Sequence, residues 1–468
     1  MNTDLSLDTE RLESLKTFLR IPSISADPAH KPDIRHAAEF CANELRQAGM
    51  TVVELIEGPQ DLPSEIRNPK SEVPPWNPLV YAEWLNAPGK PTLLLYGHYD
   101  VQPPDPLDEW TSPPFEPTVR GDNLFARGAS DDKGQTSILF KAVESLLRDT
   151  GRLPVNIKFL IEGEEETGGD HISAYVAAKP PRLSANAAVI CDTEMFAPEL
   201  PTLCVGLRGI VYGELHVTGA NHDLHSGVYG GAAPNPIQAI AEILSALKDR
   251  DGRILIPGFY DRVQPPSPKE REAWSRLPFD EAAYTRDEMG ARELVGEPGV
   301  PLFERLWARP TLEVHGIRGG FTGEGAKTVI PARAVAKLSA RLVADQLPGE
   351  AQAQIQQAVR AACPKGVTAE FRALHSAAPS LVDPDNPYIR ASAEAMKQIF
   401  GKDTVYIRSG GSIPIVGLFD QYLGIPSVMM GFGLPDDNLH APNEKMYLPN
   451  FYRGIDAVIR YLEILGNL

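Results

Sequence analysis

Five short stretches, far apart in the chain, carry residue types that hold cations: GHYDV (97–101), ARGASDDKGQ (126–135), EGEEETGG (162–169), CDTEM (191–195) and DDNLHAPNEKM (436–446). His98 offers a neutral imidazole nitrogen. Asp100, two residues on, points to the same side of an extended chain. A carboxylate behind a ligating histidine fixes its tautomer and raises its basicity. Asp131 and Asp132 are adjacent acids flanked by Gly128 and Gly134, and one carboxylate with two oxygens can bridge two cations. Glu162, Glu164, Glu165 and Glu166 put four carboxylates within five residues. Such a group repels itself unless cations neutralise it. Asp192 with Glu194, and His440 in a Gly/Pro/Asp loop, complete the set.

Taken singly, each stretch has a plainer reading. A lone HxD is a core or surface histidine, DDKG is a helix start whose acids favour the macrodipole, and a glutamate run is a solvated loop. Taken together they supply nitrogen and oxygen ligands with no thiolate. That donor set suits Zn2+, with Mn2+ or Co2+ as alternatives. Five side chains suffice for two metals when one acid bridges, and positions remain open for water.

The elements that would position these groups are legible in the apolar pattern. TLLLYG (92–97), VNIKFLIEG (155–163) and AAVIC (187–191) read as buried strands. Helical stretches lie at about 131–148 and 170–178. Strands alternating with helices predict an α/β domain with a largely parallel sheet. Each strand is followed at once by acids or a histidine, and ligands of open α/β sheets gather at the carboxyl ends of strands. Helices at 9–20 and 33–49 and a strand at 51–56 precede this region. The proline-rich stretches 58–78 and from Pro103 read as rigid surface loops.

After about Leu207 the pattern changes. GIVYGELHVTG and AVAKLSARLV (334–343) alternate like half-exposed strands, with helices at 235–249 and about 347–362 and a strand at about 367–374. This predicts an inserted two-layer α+β domain. From about Pro384 the first pattern returns, with a helix at 387–400, the strand SVMMGF (427–432) and a closing helix at 450–466. The expected organisation is a catalytic domain in two segments, 1–206 and 383–468, interrupted by a lid or dimerisation domain over 207–382.

Length and composition narrow the classes. A chain of 468 residues predicts two or more domains. The formal net charge of −17 opposes binding to nucleic acid or anionic membranes. No apolar run is long enough to span a bilayer, and the acidic N-terminus does not read as a signal peptide. Cys41, Cys191, Cys204 and Cys363 are far apart, which fits a reducing, cytoplasmic compartment.

The motifs LLYGHYDVQP, ARGASDDKG, EGEEETGG, CDT, DLHSGVYGG, GAKTVIP and LHAPNEK span almost the whole chain. In combination they resemble the di-zinc metallopeptidases that include cytosolic non-specific dipeptidase, carnosinase, aminoacylase and succinyl-diaminopimelate desuccinylase. The resemblance is greatest to the dipeptidase and carnosinase branch. It implies that His98 and Asp192 hold one metal, Glu166 and His440 the other, and that Asp131 bridges. It implies Asp100 as the residue orienting His98 and Glu165 as general base, and leaves the role of Glu164 open. His225, in DLHSGVYGG, would reach a partner subunit's site in a homodimer and stabilise the oxyanion. Thr328, Arg341 and Ser412 match substrate-contacting positions, with Asp192 and His440 beside them. The implied reaction is metal-dependent hydrolysis of dipeptides or short peptides. An N-acyl-amino-acid deacylase with the same metal site is the alternative, and a non-catalytic metal-binding homologue would have lost the base, a ligand or the oxyanion histidine.

Overall fold

A computed structural model describes residues 5–58, 76–178, 181–411 and 413–468. Ser412 and most of the proline-rich stretch 58–78 therefore lie outside the described residues. The chain forms two compact units. The first comprises the described residues up to Val205, Val382–Ile407 and Pro414–Leu468; the second comprises Gly206–Leu381 and Arg408–Ile413.

The first unit is built on a mixed sheet whose central strands are parallel. In spatial order the strands run Val52–Ile56, Leu79–Trp84, Asn156–Glu162, Thr92–His98, Ala187–Ile190, Ser427–Met429 and Thr202–Leu207. The four from Asn156–Glu162 to Ser427–Met429 are parallel neighbours. The outer pairs are antiparallel. Leu93, Leu95, Ile157, Phe159, Ile161 and Val189 are all essentially buried, as strands covered on both faces require. Leu15, Phe18 and Leu19 of the helix Leu5–Leu19 join the same core, which explains the helical spacing of apolar residues there. The strand Leu79–Trp84 was not anticipated: it follows directly on the proline-rich stretch, and LVYAEW is too short to separate from it by periodicity.

Register sets the site. Tyr96 pairs with Ile190 and His98 with Glu162. Asp192, two residues beyond Ile190, and the acids 164–166, just beyond Glu162, therefore leave the sheet at the level of His98. Gly97 lets the helix Lys133–Thr150 approach this edge: a Cβ there would meet Thr136 Oγ1 at 2.0 Å.

The second unit is the two-layer α+β arrangement. Its antiparallel sheet has the order Thr311–Gly319, Arg333–Leu342, Gly209–Thr218, Thr368–Ala377. Burial alternates along Gly209–Thr218, with Val211, Leu215 and Val217 facing inward. Ile240 and Ile243 of the helix Pro236–Leu247, and Ile355 and Val359 of the helix Pro348–Ala362, fill the core beneath them. The edge strand Thr311–Gly319 was missed because only Leu312 along it is buried, so no alternation marks it.

Candidate metal centre

Two triads of potential ligands occupy the carboxyl edge of the first unit's sheet. His98, Asp131 and Asp192 form one, and Asp131, Glu166 and His440 the other; within each triad the ligand atoms lie within 4.8 Å of one another. Asp131 belongs to both. Its Oδ1 is 3.0 Å from His98 Nε2 and its Oδ2 is 2.9 Å from His440 Nε2. His98 Nε2 is also 4.0 Å from Asp192 Oδ2, and His440 Nε2 is 3.2 Å from Glu166 Oε2. One carboxylate thus presents each oxygen to a different imidazole, the arrangement a bridging ligand needs. The donor set is two nitrogens and three carboxylates at an accessible strand edge, which fits borderline divalent cations.

Each ligand is held from behind. His98 ends a strand buried from Leu93 onward, and its Nδ1 faces Asp100, 3.1 Å from the carbonyl and 3.4 Å from Oδ1. That leaves Nε2 for the cation side. Asp100 Oδ2 also accepts the Glu166 amide at 3.2 Å, so one buried acid ties both halves of the site. The His98 amide donates to Asp132 Oδ2 at 3.1 Å, and Thr136 Oγ1 donates to the same oxygen at 2.7 Å. Glu166 Oε2 accepts from Gln102 Nε2 at 2.8 Å. Asp132 and Gln102 carry these supporting roles without having been singled out as site residues. Gln102 sits in the quoted stretch LLYGHYDVQP, but an amide gives no metal-ligand signal of its own. Glu164, whose role the sequence left open, accepts the Asn77 amide at 3.0 Å and pairs with His171. It braces the loop and does not join either triad.

The electrostatics report one crowded charge. Burial pushes the Glu165 carboxyl up to about 7, with Glu166, Asp131 and Asp100 adding to the effect and His98 opposing it. Burial raises Asp192 well above the usual carboxylate range, with Asp132 and Asp131 adding. Burial likewise carries Asp132 up to about 7. Burial opposes ionisation of Asp131 too, yet His440 and His98 hold it below its ordinary value. Burial would lower His98, but hydrogen bonds to Asp100 and Asp131 keep it well above normal. His440 is raised to about 10 by Asp131 and Glu166. Acids that resist ionising and imidazoles that cling to protons mark a pocket in want of positive charge.

His225 and Thr328 lie together in the second unit. His225 pairs with Val329 on the small sheet of Leu224–His225 and Val329–Ile330, and the Ser226 amide donates to the Thr328 carbonyl at 3.0 Å. The Gly227 amide donates to His225 Nδ1 at 3.0 Å. The neutral ring therefore carries its proton on Nε2, an exposed donor. Arg341 is half-buried on the strand Arg333–Leu342, and burial lowers its pKa.

A parallel α/β sheet whose strand ends gather paired nitrogen and carboxylate ligands around a shared aspartate defines a metal-dependent hydrolase. The chain belongs to the peptidase family M20/M25/M40, whose sequence pattern matches residues 94–464. It is 32% identical to the Cys-Gly metallodipeptidase of Candida albicans over 97% of this chain and 94% of that one. Among solved structures, human carnosine dipeptidase 1 superposes with a TM-score of 0.82 at 28% identity, covering 98% of this chain and 97% of that one. The metallo-carboxypeptidase Sso-CP2 of Sulfolobus solfataricus gives 0.82 at 32% identity, with 98% and 100% covered. The two dipeptidases among these relatives place the chain in the dipeptidase and carnosinase branch. No helix among the described residues is long and apolar enough to cross a membrane.

Proposed function

We propose that this protein is a two-metal dipeptidase that hydrolyses the peptide bond of dipeptides or short peptides. The observation that carries the reading is Asp131, each of whose oxygens faces a different imidazole. His98 and Asp192 would hold one cation, Glu166 and His440 the other, and Asp131 both. Zn2+ is the first choice, with Mn2+ or Co2+ able to take its place. When bound, such cations polarise the scissile carbonyl and lower the pKa of water from about 15.7 to roughly 7.

The chain's own groups do the rest. Glu165, next to the ligand Glu166 in the chain, takes the proton of the attacking water and returns it to the leaving amine. Asp100 keeps His98 in the tautomer that aims Nε2 at the cation. The Nε2–H of His225 serves the oxyanion in a partner subunit of a homodimer. The Arg341 guanidinium matches a peptide's terminal carboxylate in fork geometry, and by sequence position Thr328, Ser412, Asp192 and His440 match substrate contacts of the family. Cys41, Cys191, Cys204 and Cys363 form no disulfide among the described residues, which fits a cytoplasmic setting.

The test is metal analysis joined to a substrate screen. The expected result is two divalent ions per chain and release of amino acids from simple dipeptides well above release from N-acetyl amino acids. Chelation abolishes the activity, and Zn2+, Mn2+ or Co2+ restores it. Two tightly bound ions without amidase activity on any dipeptide would overturn the reading.

A further inference from the structure

Glu444 stands outside both ligand triads, yet it is fully buried and receives four donors. Its Oε2 accepts from Arg127 Nη1 at 2.7 Å and from the Gly128 amide at 2.8 Å. Its Oε1 accepts from the Ser130 and Asp131 amides, each at 3.0 Å. All four donors belong to residues 127–131, the loop that ends in the aspartate shared by both triads. The Ala126 amide adds a bond to the Glu444 carbonyl at 3.1 Å. Arg127, also buried, reaches the Pro103 carbonyl with Nη2 at 3.2 Å, joining the segment that follows His98 and Asp100. Asp437 repeats the pattern on a smaller scale: its Oδ2 accepts from Ser130 Oγ and from the Leu434 amide, each at 2.8 Å.

Burial favours the neutral acid at Glu444, with Arg127 opposing. Hydrogen-bond accounting decides the matter. Four N–H donors converge on two oxygens, and a carboxylic acid would turn its own O–H against one of them, so only the acceptor-only carboxylate satisfies them all.

We propose that Glu444 is a positioning residue for the metal centre: its carboxylate fixes the 127–131 loop so that both oxygens of Asp131 stay aimed at two cations. The proposal rests on the two-metal reading. Its consequence differs from that of a ligand. Loss of a terminal ligand such as Asp192 or Glu166 weakens one site. A slackened Asp131 serves both sites badly and weakens them in step.

Glu444→Gln keeps the shape but turns an NH2 toward one pair of N–H donors. The experiment titrates the chelated protein with Zn2+ against a chromophoric competitor, well below its melting temperature. Both dissociation constants are expected to rise together, by about 10–100-fold. Parental constants with only a lowered melting temperature would show a purely structural residue and overturn the proposal, as would weakening at a single site. Should Glu444→Gln fail to fold, Arg127→Lys keeps the charge but loses the fork. A smaller, parallel rise in both constants is then expected, and unchanged constants in that folded variant overturn the proposal. A parent chain that takes up fewer than two Zn2+ ions sinks the two-metal reading itself.

Discussion

His98 and His440 present the same atom to the same aspartate from opposite surroundings. The His98 side chain has no exposed surface, whereas that of His440 is 55% exposed. His98 ends a strand locked on both sides by parallel neighbours. His440 sits at φ +59° in a loop where Asn438 and Asn443 also adopt left-handed backbone. Such conformations are uncommon for non-glycine residues and persist only where the surroundings hold them. Here the holding groups are Asp437 and Glu444, which bind the 127–131 loop from either side of His440 in sequence. One half of the metal centre is thus built by a sheet, the other by buried carboxylates that staple two loops together.

The comparison is sharpest where neither half is touched. On the proposed mechanism, Glu165→Gln removes the base and no ligand. Turnover is expected to fall by about 10²–10⁴-fold while metal content stays at two ions per chain, measured by single-turnover kinetics and metal analysis. Loss of metal in this variant would mean that base and ligand have been exchanged.

The two histidines then separate the halves. His98→Ala leaves the buried Asp100 without its partner and should cost about 3–5 kcal/mol of stability, besides weakening its metal site. His440→Ala also weakens one metal site, but Asp131 keeps His98 and water can reach the vacated place, so the cost should be smaller, about 1–3 kcal/mol. Chemical denaturation and Zn2+ titration of both variants check this. Equal destabilisation would erase the distinction between a sheet-built and a loop-built ligand.

A smaller effect tests their shared charge. The folded-state values of Glu165, Asp132, Asp192, His98 and His440 are all raised. Such groups stabilise the fold below their ordinary values and lose that contribution as pH rises through the folded ones. Asp131, held low, takes up protons only in the unfolded chain as pH falls toward about 4, so it opposes this slope below about pH 5. Through the three acids the chelated protein should therefore melt a few degrees lower as pH climbs from about 5 to about 7, the two histidines adding their loss only above about 6.5. The Zn2+-loaded protein should not show this slope, because cations replace the protons. A chelated protein whose melting temperature rises across that range would contradict the charge assignment.

The sequence alone determined the ligand types and most of the sheet. Buried parallel strands are continuous apolar runs, and acids directly after such runs in EGEEETGG and CDTEM have little structural reason to be there. The family motifs supplied what spacing could not, above all the choice of His440 from a loop with no periodic signal. Tertiary structure decided the rest. Gln102, Asp132 and Glu444 only hold backbone amides and neighbouring side chains in place, so their types announce nothing until loops more than 300 residues apart, such as 127–131 and Glu444, are seen to touch. A residue that makes chemistry is visible by its own character; one that holds another in place is defined by its partners, and partners distant in sequence are chosen only by folding.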